Sequence, residues 1–445
     1  MPTRSVLFPL LRFPQISVVL ACTVPLAGCV RFTRQPLSPE RTAAAFDARR
    51  FPTKRGRWSL ARLTAEALEK HPDLAVLRAR VQTAEGALRT AGERPNPVFA
   101  FRPLYNSTTQ IISPWIIESA IDITIETGGK RDARMAEAVA RIRVARLDWA
   151  AAAWKVRSDV RRALLALYAA EATRAQYGAQ VAAQGEAARL VESQLADGAA
   201  RPQDVAAARI PLHQTRLAIH DTELLAVRSR HQLATAVGVP VVALAGVEFD
   251  FAEVSRLAEP PAGGVARRHA VTHRPDILSA LSDYAATEER VRLEVARQFP
   301  DLKLGPGYNL DRAFNLWKLG IGYELPILHQ RQGAIAEAEG RRAEAAARFR
   351  ALQARALGEI DLALASYRAA RAKADAADAL ATDVAKQTRI AEEMKAAGEL
   401  SQLDVSQRRV EQGVSDLGRA QARLQALDGL GALEDALQTP ASAWQ

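Results

Sequence analysis

The chain of 445 residues contains the same structural unit twice. With an offset of 203 residues, Pro72-Asp73-Leu74 aligns with Pro275-Asp276-Ile277, and Pro97 aligns with Pro300. With an offset of 200 residues, three later landmarks coincide, namely Ala136-Glu137-Ala138 with Ala336-Glu337-Ala338, Gly198 with Gly398, and Asp204-Val205 with Asp404-Val405. Any fold for this sequence must therefore contain two copies of one unit, with a shorter connection in the second copy.

A very long helix is predicted in each copy. No proline occurs between Trp115 and Arg201 or between Ile327 and Thr439, and helix-forming residues such as Ala, Arg, Glu and Leu fill both stretches. Apolar residues recur there at spacings of three and four, which indicates narrow stripes of the coiled-coil type. The long helices are expected over residues 131–196 and 332–396, each about 100 Å long at 1.5 Å per residue.

Glycine marks a tight turn at the far end of each long helix. Gly198 and Gly398 are placed to end the helices, and Asp204 and Asp404 fall in the first turn of a returning helix. Each copy therefore contains a helical hairpin. The returning helices are expected over residues 203–237 and 403–427.

Four short segments with a period of two precede the long helices, two in each copy. Apolar side chains alternate with polar or small ones, as in Ile121, Asp122 and Ile123. Pro103 and Pro306 interrupt two of the segments, which edge positions or bulges tolerate. The length of about nine or ten residues fits a tilted strand that crosses a membrane, although a soluble amphipathic hairpin packed on the helices gives the same pattern. The strands are expected at about 98–105, 116–126, 302–310 and 315–325.

Four strands are too few to close a barrel within one chain. In lipid all backbone polar groups must be paired, so membrane strands form closed barrels, and bacterial barrels contain at least about eight strands. If these strands cross a membrane, several copies of the chain must share one barrel. The long helices would then continue below it as a bundle or tube.

The N-terminus carries an export signal. Basic residues precede an apolar run that ends at Leu26-Ala27-Gly28-Cys29, and this run is too short to cross a bilayer as a helix. The last four residues resemble a bacterial lipobox, which implies cleavage of a signal peptide over 1–28 and attachment of lipid to Cys29. Several acyl chains there would form a stable anchor, and Val30 in place of Asp favours the outer membrane. The alternative is an ordinary signal peptide followed by a chance cysteine.

The rest of the sequence divides at clusters of proline and glycine. Pro240, Pro260-Pro261 and Gly263-Gly264 indicate a linker between the two copies. The predicted order is an anchor linker over 29–57, a first repeat over 58–240, an inter-repeat linker over 241–268, a second repeat over 269–428 and a C-terminal tail over 429–445.

In their order and spacing these features resemble the TolC-like outer-membrane efflux channel family. The matching motifs are Glu126-Thr127-Gly128-Gly129-Lys130-Arg131 after the second strand, Leu325-Pro326-Ile327-Leu328 after the fourth, and Gly398-Glu399-Leu400-Ser401 at a hairpin turn. The glycine-rich motif and the lipobox look most like the heavy-metal-efflux branch that includes CzcC and CusC. The resemblance implies a mixed α+β membrane protein, a homotrimer with a 12-stranded β-barrel in outer-membrane lipid and a 12-helix periplasmic α-barrel.

The resemblance also implies a role and partners. The chain would be the passive outer-membrane conduit of a tripartite efflux system for heavy-metal cations or drugs. A periplasmic adaptor protein would join it to an inner-membrane pump, commonly a proton-driven one. The residues implied in adaptor docking lie at the hairpin turns and are Gly198, Ala200, Arg201, Gly398, Leu400 and Ser401. Asp197, Arg201 and Glu399 are candidates for charges at the periplasmic entrance, for which ordinary solvated turn charge is the alternative.

The sequence does not indicate a metal-binding protein or an enzyme. Cys22 and Cys29 are the only cysteines, so the rest of the chain contains no zinc-finger pattern or cysteine nucleophile. His213 and His220 lie seven residues apart on one helix without a third ligand three or four residues away. The Gly128-Gly129-Lys130 stretch is too short for a phosphate-binding loop. We expect no metal site there, no cofactor and no enzymatic activity.

The net charge of +10 does not indicate nucleic-acid binding. Arginine is dispersed along the helices among Glu and Asp rather than clustered with aromatic residues. The alternative from another class is a periplasmic coiled-coil adaptor or structural lipoprotein without a barrel. An adaptor would be expected to carry more β-rich segments than this sequence shows.

Overall fold

The computed structural model describes residues 30–51, 56–108, 113–311 and 314–444. Cys29 and the predicted signal peptide lie outside the described residues. The chain divides into two units, Met1–Ala48 and Arg49–Gln445. In the first unit, helix α1 (Pro39–Asp47) begins after Ser38, whose side-chain oxygen accepts a hydrogen bond from the backbone N–H of Arg41.

The first copy of the repeat consists of two short helices, two strands and a long helical hairpin. Helix α4 contains 67 residues, which corresponds to a length of about 100 Å. The elements are α2 (Leu60–Lys70), α3 (Pro72–Gly92), β1 (Val98–Tyr105), β2 (Trp115–Ile125), α4 (Lys130–Ala196) and α5 (Pro202–Val237).

The second copy repeats this order. Helix α8 contains 65 residues, so the two long helices have nearly the same length. The elements are α6 (Gly263–His273), α7 (Pro275–Ala296), β3 (Leu302–Asp311), β4 (Phe314–Gly322), α8 (Gln332–Ala396) and α9 (Gln402–Leu437). The expected fold of strand hairpins joined to long helical hairpins is therefore confirmed.

The second copy begins earlier than predicted. Helix α6 starts at Gly263, inside the segment assigned to the linker, and it corresponds to α2 at the offset of 203. The Gly263-Gly264 pair begins the helix and does not break it, because glycine is tolerated in the first turn of a helix when the preceding residue is extended. Ala262 has that extended conformation.

Two further boundaries differ from the predictions. Helix α9 continues to Leu437, ten residues beyond its predicted end, because no proline occurs before Pro440 and the apolar stripe continues. Residues of this stripe that are buried are Leu427, Leu430, Leu433 and Leu437. Strand β4 ends at Gly322, three residues before its predicted end.

The four strands form one antiparallel sheet in the order β1-β2-β3-β4. Pro103 lies in edge strand β1 opposite Ile117, as proline in a sheet normally does. Pro306 lies in β3, which has neighbours on both sides. The β2–β3 ladder pairs Ala120 with Gly307 and resumes at Ile123 with Leu304, so it is interrupted beside Pro306 without an inserted residue.

The apolar core surrounds the middle of α4, where α2, the end of α5 and the linker meet. The linker belongs to this core, since Val254 is fully buried and Trp58 forms a bridge to Phe249. Tyr367 of α8 holds the linker by accepting a hydrogen bond from the N–H of Ala258 at 3.2 Å and donating one to its carbonyl at 2.5 Å. Further core members are Phe51, Leu63, Leu74, Val160, Leu164 and Leu233.

Candidate functional site

The sheet has one apolar face that is largely exposed. Alternate residues point to this face because side chains in a strand alternate between the two sides. Ile121, Ile123, Leu319 and Ile321 are 38–66% exposed, which excludes the alternative that this face packs on the helices of the same chain. Two aromatic pairs lie on this face near the loops that join β1 to β2 and β3 to β4. They are Tyr105 with Trp115 and Tyr308 with Trp317.

The opposite face is charged and lined by glycine in its middle, with apolar residues such as Leu104, Ile116 and Leu316 toward the loops that connect the strands. Lys318 of β4 reaches across β3 to form an ion pair with Glu118 of β2. It passes over Gly307, where a Cβ atom would lie 2.9 Å from Lys318 Cε and 2.8 Å from the carbonyl oxygen of Ser119. The result is a shallow depression of about 400 Å³ that is also lined by Arg102, Asp122, Lys303 and Gly305.

The junction between sheet and helix explains the glycine-rich motif. Gly128 and Gly129 have φ angles of +67° and +73°, which favour glycine, and they turn the chain from β2 into α4. A Cβ atom on Gly128 would lie 2.8 Å from the carbonyl oxygen of Ala296 in the second copy. Lys130 Nζ lies 2.5 Å from Asp301 Oδ1, so the motif also joins the two copies electrostatically.

The first hairpin turn places four of the predicted site residues, Asp197, Gly198, Ala200 and Arg201, just after the end of α4. Gly198 has φ +73°, and the backbone N–H of Ala200 donates to the carbonyl of Gln194 at 3.1 Å. The N–H of Arg201 donates to Asp204 Oδ2 at 2.8 Å, which starts α5. The side chains of Asp197 and Arg201 are exposed.

The second turn has the same backbone design and a stronger cap. Gly398 has φ +80°, and Ser401 begins α9 with a capping box in which its N–H donates to Asp404 Oδ2 at 2.9 Å. The Ser401 hydroxyl donates to the same oxygen at 2.6 Å. Hydrogen bonds from the side chain and backbone of Ser401 lower the pKa of Asp404. Leu400 is half-buried and Glu399 is exposed.

The two turns are not brought together directly. Gln402 Nε2 donates to Glu186 Oε1 at 2.6 Å, and Arg409 Nη1 lies 3.4 Å from Glu186 Oε2. Glu186 precedes the end of α4 by ten residues, or about three helical turns. The second turn therefore lies beside α4, and the link through Glu186 was missed at the sequence level because a lone glutamate in a charged helix carries no distinguishing signal.

His213 and His220, the histidines considered for metal binding, both belong to α5. His220 Nδ1 contacts Glu223 Oε2 at 3.1 Å on the exposed side of α5. Over the described ranges, no group of three or more His, Cys, Asp or Glu side chains is arranged to hold a metal ion. In the same part of the chain, no helix is long and apolar enough to cross a membrane.

The sequence pattern of the outer membrane efflux protein family matches residues 63–239 and 267–438, which are the two copies of the repeat. The chain belongs to this family, and the resemblance inferred from the sequence is confirmed. No curated protein sequence matches the chain.

Solved structures at low sequence identity share the fold. A membrane protein from Pseudomonas aeruginosa has a TM-score of 0.69 at 18% identity, over 85% of this chain and 92% of that chain. The outer membrane protein VceC from Vibrio cholerae has a TM-score of 0.67 at 21% identity, over 85% and 96% of the two chains. CusC, described in terms of transmembrane channel formation, has a TM-score of 0.67 at 17% identity, over 85% and 91%. Since CusC is no more similar than VceC, the heavy-metal branch stays a prediction.

Proposed function

We propose that the protein is the passive outer-membrane channel of a tripartite efflux system. The observation that carries this proposal is the sheet, which exposes a continuous apolar face on one side and a charged, glycine-lined face on the other. A sheet with these two faces suits a barrel wall between lipid and a water-filled lumen. Family membership supports the same role.

We assign three copies of the chain to the barrel, the number that the resemblance to the TolC-like family implies. Strands β1 and β4 are the edges of the sheet, and an unpaired edge is not tolerated in lipid. Three copies joined edge to edge give twelve strands, and α4, α5, α8 and α9 of each copy give twelve helices for a periplasmic tunnel.

The outer helices of each copy provide surfaces for this assembly. Within the described chain, α5 packs on α4 and α2, while α8 packs on α9, α7 and α6, so each has a side without a helix neighbour. On α5 the exposed residues Ile210, Leu217 and Leu224 recur every seven residues, as in a coiled-coil seam. On α8 the exposed residues Leu362 and Leu380 lie five helical turns apart on one face. We infer that α5 of one copy packs on α8 of the next.

The hairpin turns form the proposed periplasmic end. They lie at the far end of the long helices from the sheet, and we assign adaptor docking to Gly198, Ala200, Arg201, Gly398, Leu400 and Ser401. Asp197, Arg201 and Glu399 are assigned to the periplasmic entrance because all three are exposed at these turns. The adaptor would connect the channel to an inner-membrane pump, and lipid on Cys29 would anchor each chain to the outer membrane.

The lumen side of the sheet does not favour one sign of charge. Its described strand residues include three basic and three acidic side chains, namely Arg102, Lys303 and Lys318 against Glu118, Asp122 and Asp311. A balanced wall suits a permissive conduit that accepts metal cations or drugs and performs no covalent chemistry. Selection of cargo is then assigned to the pump.

A matched pair of substitutions on neighbouring positions of β2 tests the channel. In Ile121→Lys the new charge faces lipid, which costs about 2–4 kcal/mol per chain near the bilayer midplane. In Ala120→Lys the charge faces the lumen between Glu118 and Asp122 on the same face. Outer-membrane fractions run on unheated sodium dodecyl sulphate gels should show a resistant trimer for the wild type and Ala120→Lys, with much less for Ile121→Lys. Equal trimer levels in the two variants, or a soluble wild-type monomer after removal of Cys29, would favour the adaptor alternative.

A further inference from the structure

The segment that joins β4 to α8 exposes apolar side chains beyond the end of the sheet. Tyr323, Leu325 and Ile327 continue the spacing of two that the apolar residues of β4 follow, and they are 59–80% exposed. Leu328, the next residue, is 93% exposed. The apolar surface that the channel proposal turns toward lipid therefore extends to the junction between the sheet and the long helices, the level at which aromatic residues such as Tyr323 meet lipid headgroups.

Three arginines surround one buried carboxylate beside this segment. Glu294, in the last turn of α7, accepts hydrogen bonds from Arg297 Nη1 at 2.8 Å and from Arg331 Nη2 at 3.1 Å. Arg290 Nη2 lies 3.1 Å from the same carboxylate, and Arg290 Nη1 lies 3.8 Å from Glu137. Three guanidinium groups therefore share two carboxylates, which leaves one positive charge. Each arginine side chain is 34–39% exposed, so the group is open to a ligand from outside.

Arg331 has a conformation that normally favours glycine. Its φ angle is +63°, and the residue at the corresponding position before α4 is Gly129, with φ +73°. Strain of this kind is typical of functional positions. The Nε atom of Arg331 is buried and has no hydrogen-bond partner among the described residues. The first turn of α8 contains no acidic residue and no side-chain cap, so its backbone N–H groups add to the local preference for an anion.

The charged and apolar parts lie close enough to bind one lipid molecule. Arg331 follows Leu328 by three residues, and the exposed Phe299 follows Arg297 by two. Since neighbouring Cα atoms are 3.8 Å apart, at most about 11 Å of backbone separates an arginine from an exposed apolar side chain in either segment. A phospholipid has a phosphate group and acyl chains within that reach, whereas a free phosphate ion has no use for the apolar side chains.

We propose that Arg297 and Arg331 bind the phosphate group of a phospholipid in the periplasmic leaflet of the outer membrane, with its acyl chains along Ile327 and Leu328. Guanidinium groups suit phosphate oxygens because they donate paired hydrogen bonds, and basic sites beside apolar membrane surfaces bind lipid headgroups. The bound lipid would fix the height of the junction relative to the bilayer. This inference rests on the proposed channel function, which places the junction at the membrane surface.

The test uses the full-length protein in dodecyl maltoside, freed of lipid by detergent exchange, titrated with dioleoyl phosphatidylglycerol and followed by native mass spectrometry. We expect one phosphatidylglycerol molecule per chain and about fivefold weaker binding in Arg331→Gly, the effect of one basic residue near a membrane surface. Glycine accepts the positive φ angle at this position, so the variant removes the guanidinium without adding strain. The matched control is Arg341→Gln, an exposed arginine of α8 that pairs with Glu337 and should bind as the wild type does.

A second variant tests the apolar part of the site. Leu328→Asn should also weaken binding, because it removes an acyl-chain contact, and its exposed position does not endanger folding. Circular dichroism checks the helix content of each variant. Unchanged phosphatidylglycerol binding in either Arg331→Gly or Leu328→Asn would overturn the proposal, and so would equal loss of binding in Arg341→Gln.

Two other probes separate this lipid from other ligands. Dioleoyl phosphatidylcholine, which has no net charge, should bind more weakly than phosphatidylglycerol, and equal binding would overturn the role of the arginines. Glycerol 3-phosphate should not displace the lipid at equal concentration, and displacement would identify a site for free phosphate instead. Unheated gels of the same samples test the channel separately. A resistant trimer that binds no phosphatidylglycerol would overturn the lipid site alone, whereas a soluble wild-type monomer would overturn the channel and the lipid site together.

Discussion

Arg161 of α4 lies with its Nε 3.0 Å from Glu434 Oε2 of α9, and both side chains are buried. Glu434 also accepts hydrogen bonds from Arg157 at 3.2 Å and from the N–H of Ala441 at 2.7 Å. Arg161 Nη2 donates to the carbonyl of Leu427 at 3.0 Å. This cluster joins the two copies of the repeat where α4 packs on α9, and it holds the C-terminal segment against these helices.

Removal of Glu434 should destabilise the protein strongly. Glu434→Ala leaves the buried Arg161 without its counter-ion, and breaking a buried pair in this way costs about 3–5 kcal/mol. Thermal unfolding of the purified protein should show a clearly lower Tm. The double variant Arg161→Leu with Glu434→Leu should recover much of the loss, since no buried charge is left unpaired.

The control is Glu411→Gln, which removes an exposed ion pair with Arg408. Exposed pairs contribute about 0–1 kcal/mol, so its Tm should stay near that of the wild type. A Tm for Glu434→Ala as high as that of Glu411→Gln would show that the cluster does not stabilise the fold.

The hairpin turns could be predicted from the sequence, but this cluster could not. At Gly198 and Gly398 a local conformation with positive φ demands glycine, so the residue type itself marks the turn. In the sequence Arg161 looks like one of the many arginines on the solvated face of α4, next to the apolar stripe. Its burial depends on α9, which is more than 260 residues away in sequence. Contacts of that kind between the copies also include the link of Glu186 to α9.

Gly431→Ala should destabilise the protein even though alanine is the better helix former. A Cβ atom there would overlap Arg161 Nη1 and lie 2.9 Å from Arg161 Cζ, so the guanidinium must leave its position between the helices. Overpacking of this kind typically costs about 1–3 kcal/mol. At Gly429 of the same helix the nearest atom would be Tyr367 Cα at 3.5 Å, an ordinary contact. Gly429→Ala should therefore keep or raise the Tm. If Gly431→Ala has the same Tm as Gly429→Ala, the close packing of Arg161 against Gly431 is contradicted.

Gly307→Ala should weaken the barrel. The added methyl group would meet the carbonyl oxygen of Ser119 at 2.8 Å and displace Lys318 from its path to Glu118. We expect dissociation of the resistant trimer at a lower temperature on partly heated gels. Gly320→Ala is the control, because its nearest contact would be 3.5 Å away at Gly305. If the two variants dissociate at the same temperature, the glycine at 307 is not needed for the crossing of Lys318.

Leu400→Arg should abolish export while leaving the trimer in the outer membrane. Leu400 lies at the second turn, half-buried, and takes no part in the Ser401–Asp404 cap, so the substitution alters the proposed docking surface without removing the cap. Ser401→Arg combined with it would remove the cap as well, at a typical cost of about 1 kcal/mol. Resistance of a deletion strain that carries each variant measures export. Gln421→Arg, an exposed change near the middle of α9, is the control, and full resistance in Leu400→Arg would exclude the turn as the docking surface.

Asp435 makes the stability of the protein depend on pH. Burial raises the pKa of Asp435, against the hydrogen bond from Ser158 Oγ at 2.6 Å, which lowers it. Between the unfolded pKa, about 3.9, and the raised folded pKa, the folded state binds more protons than the unfolded state. The free energy of unfolding therefore falls as pH rises through this window. Above the folded pKa, the full loss of stability from the charged, partly desolvated Asp435 is present.

Asp435→Asn should remove this cost, because the amide oxygen still accepts from Ser158 and no partly desolvated charge forms at the half-buried position. The difference in Tm between the variant and the wild type should be near zero at about pH 3.5 and should increase in favour of the variant toward pH 7. If the difference in Tm between Asp435→Asn and the wild type does not change with pH, partial burial does not disfavour the charged carboxylate of Asp435. The nearby arginines would then compensate its charge fully.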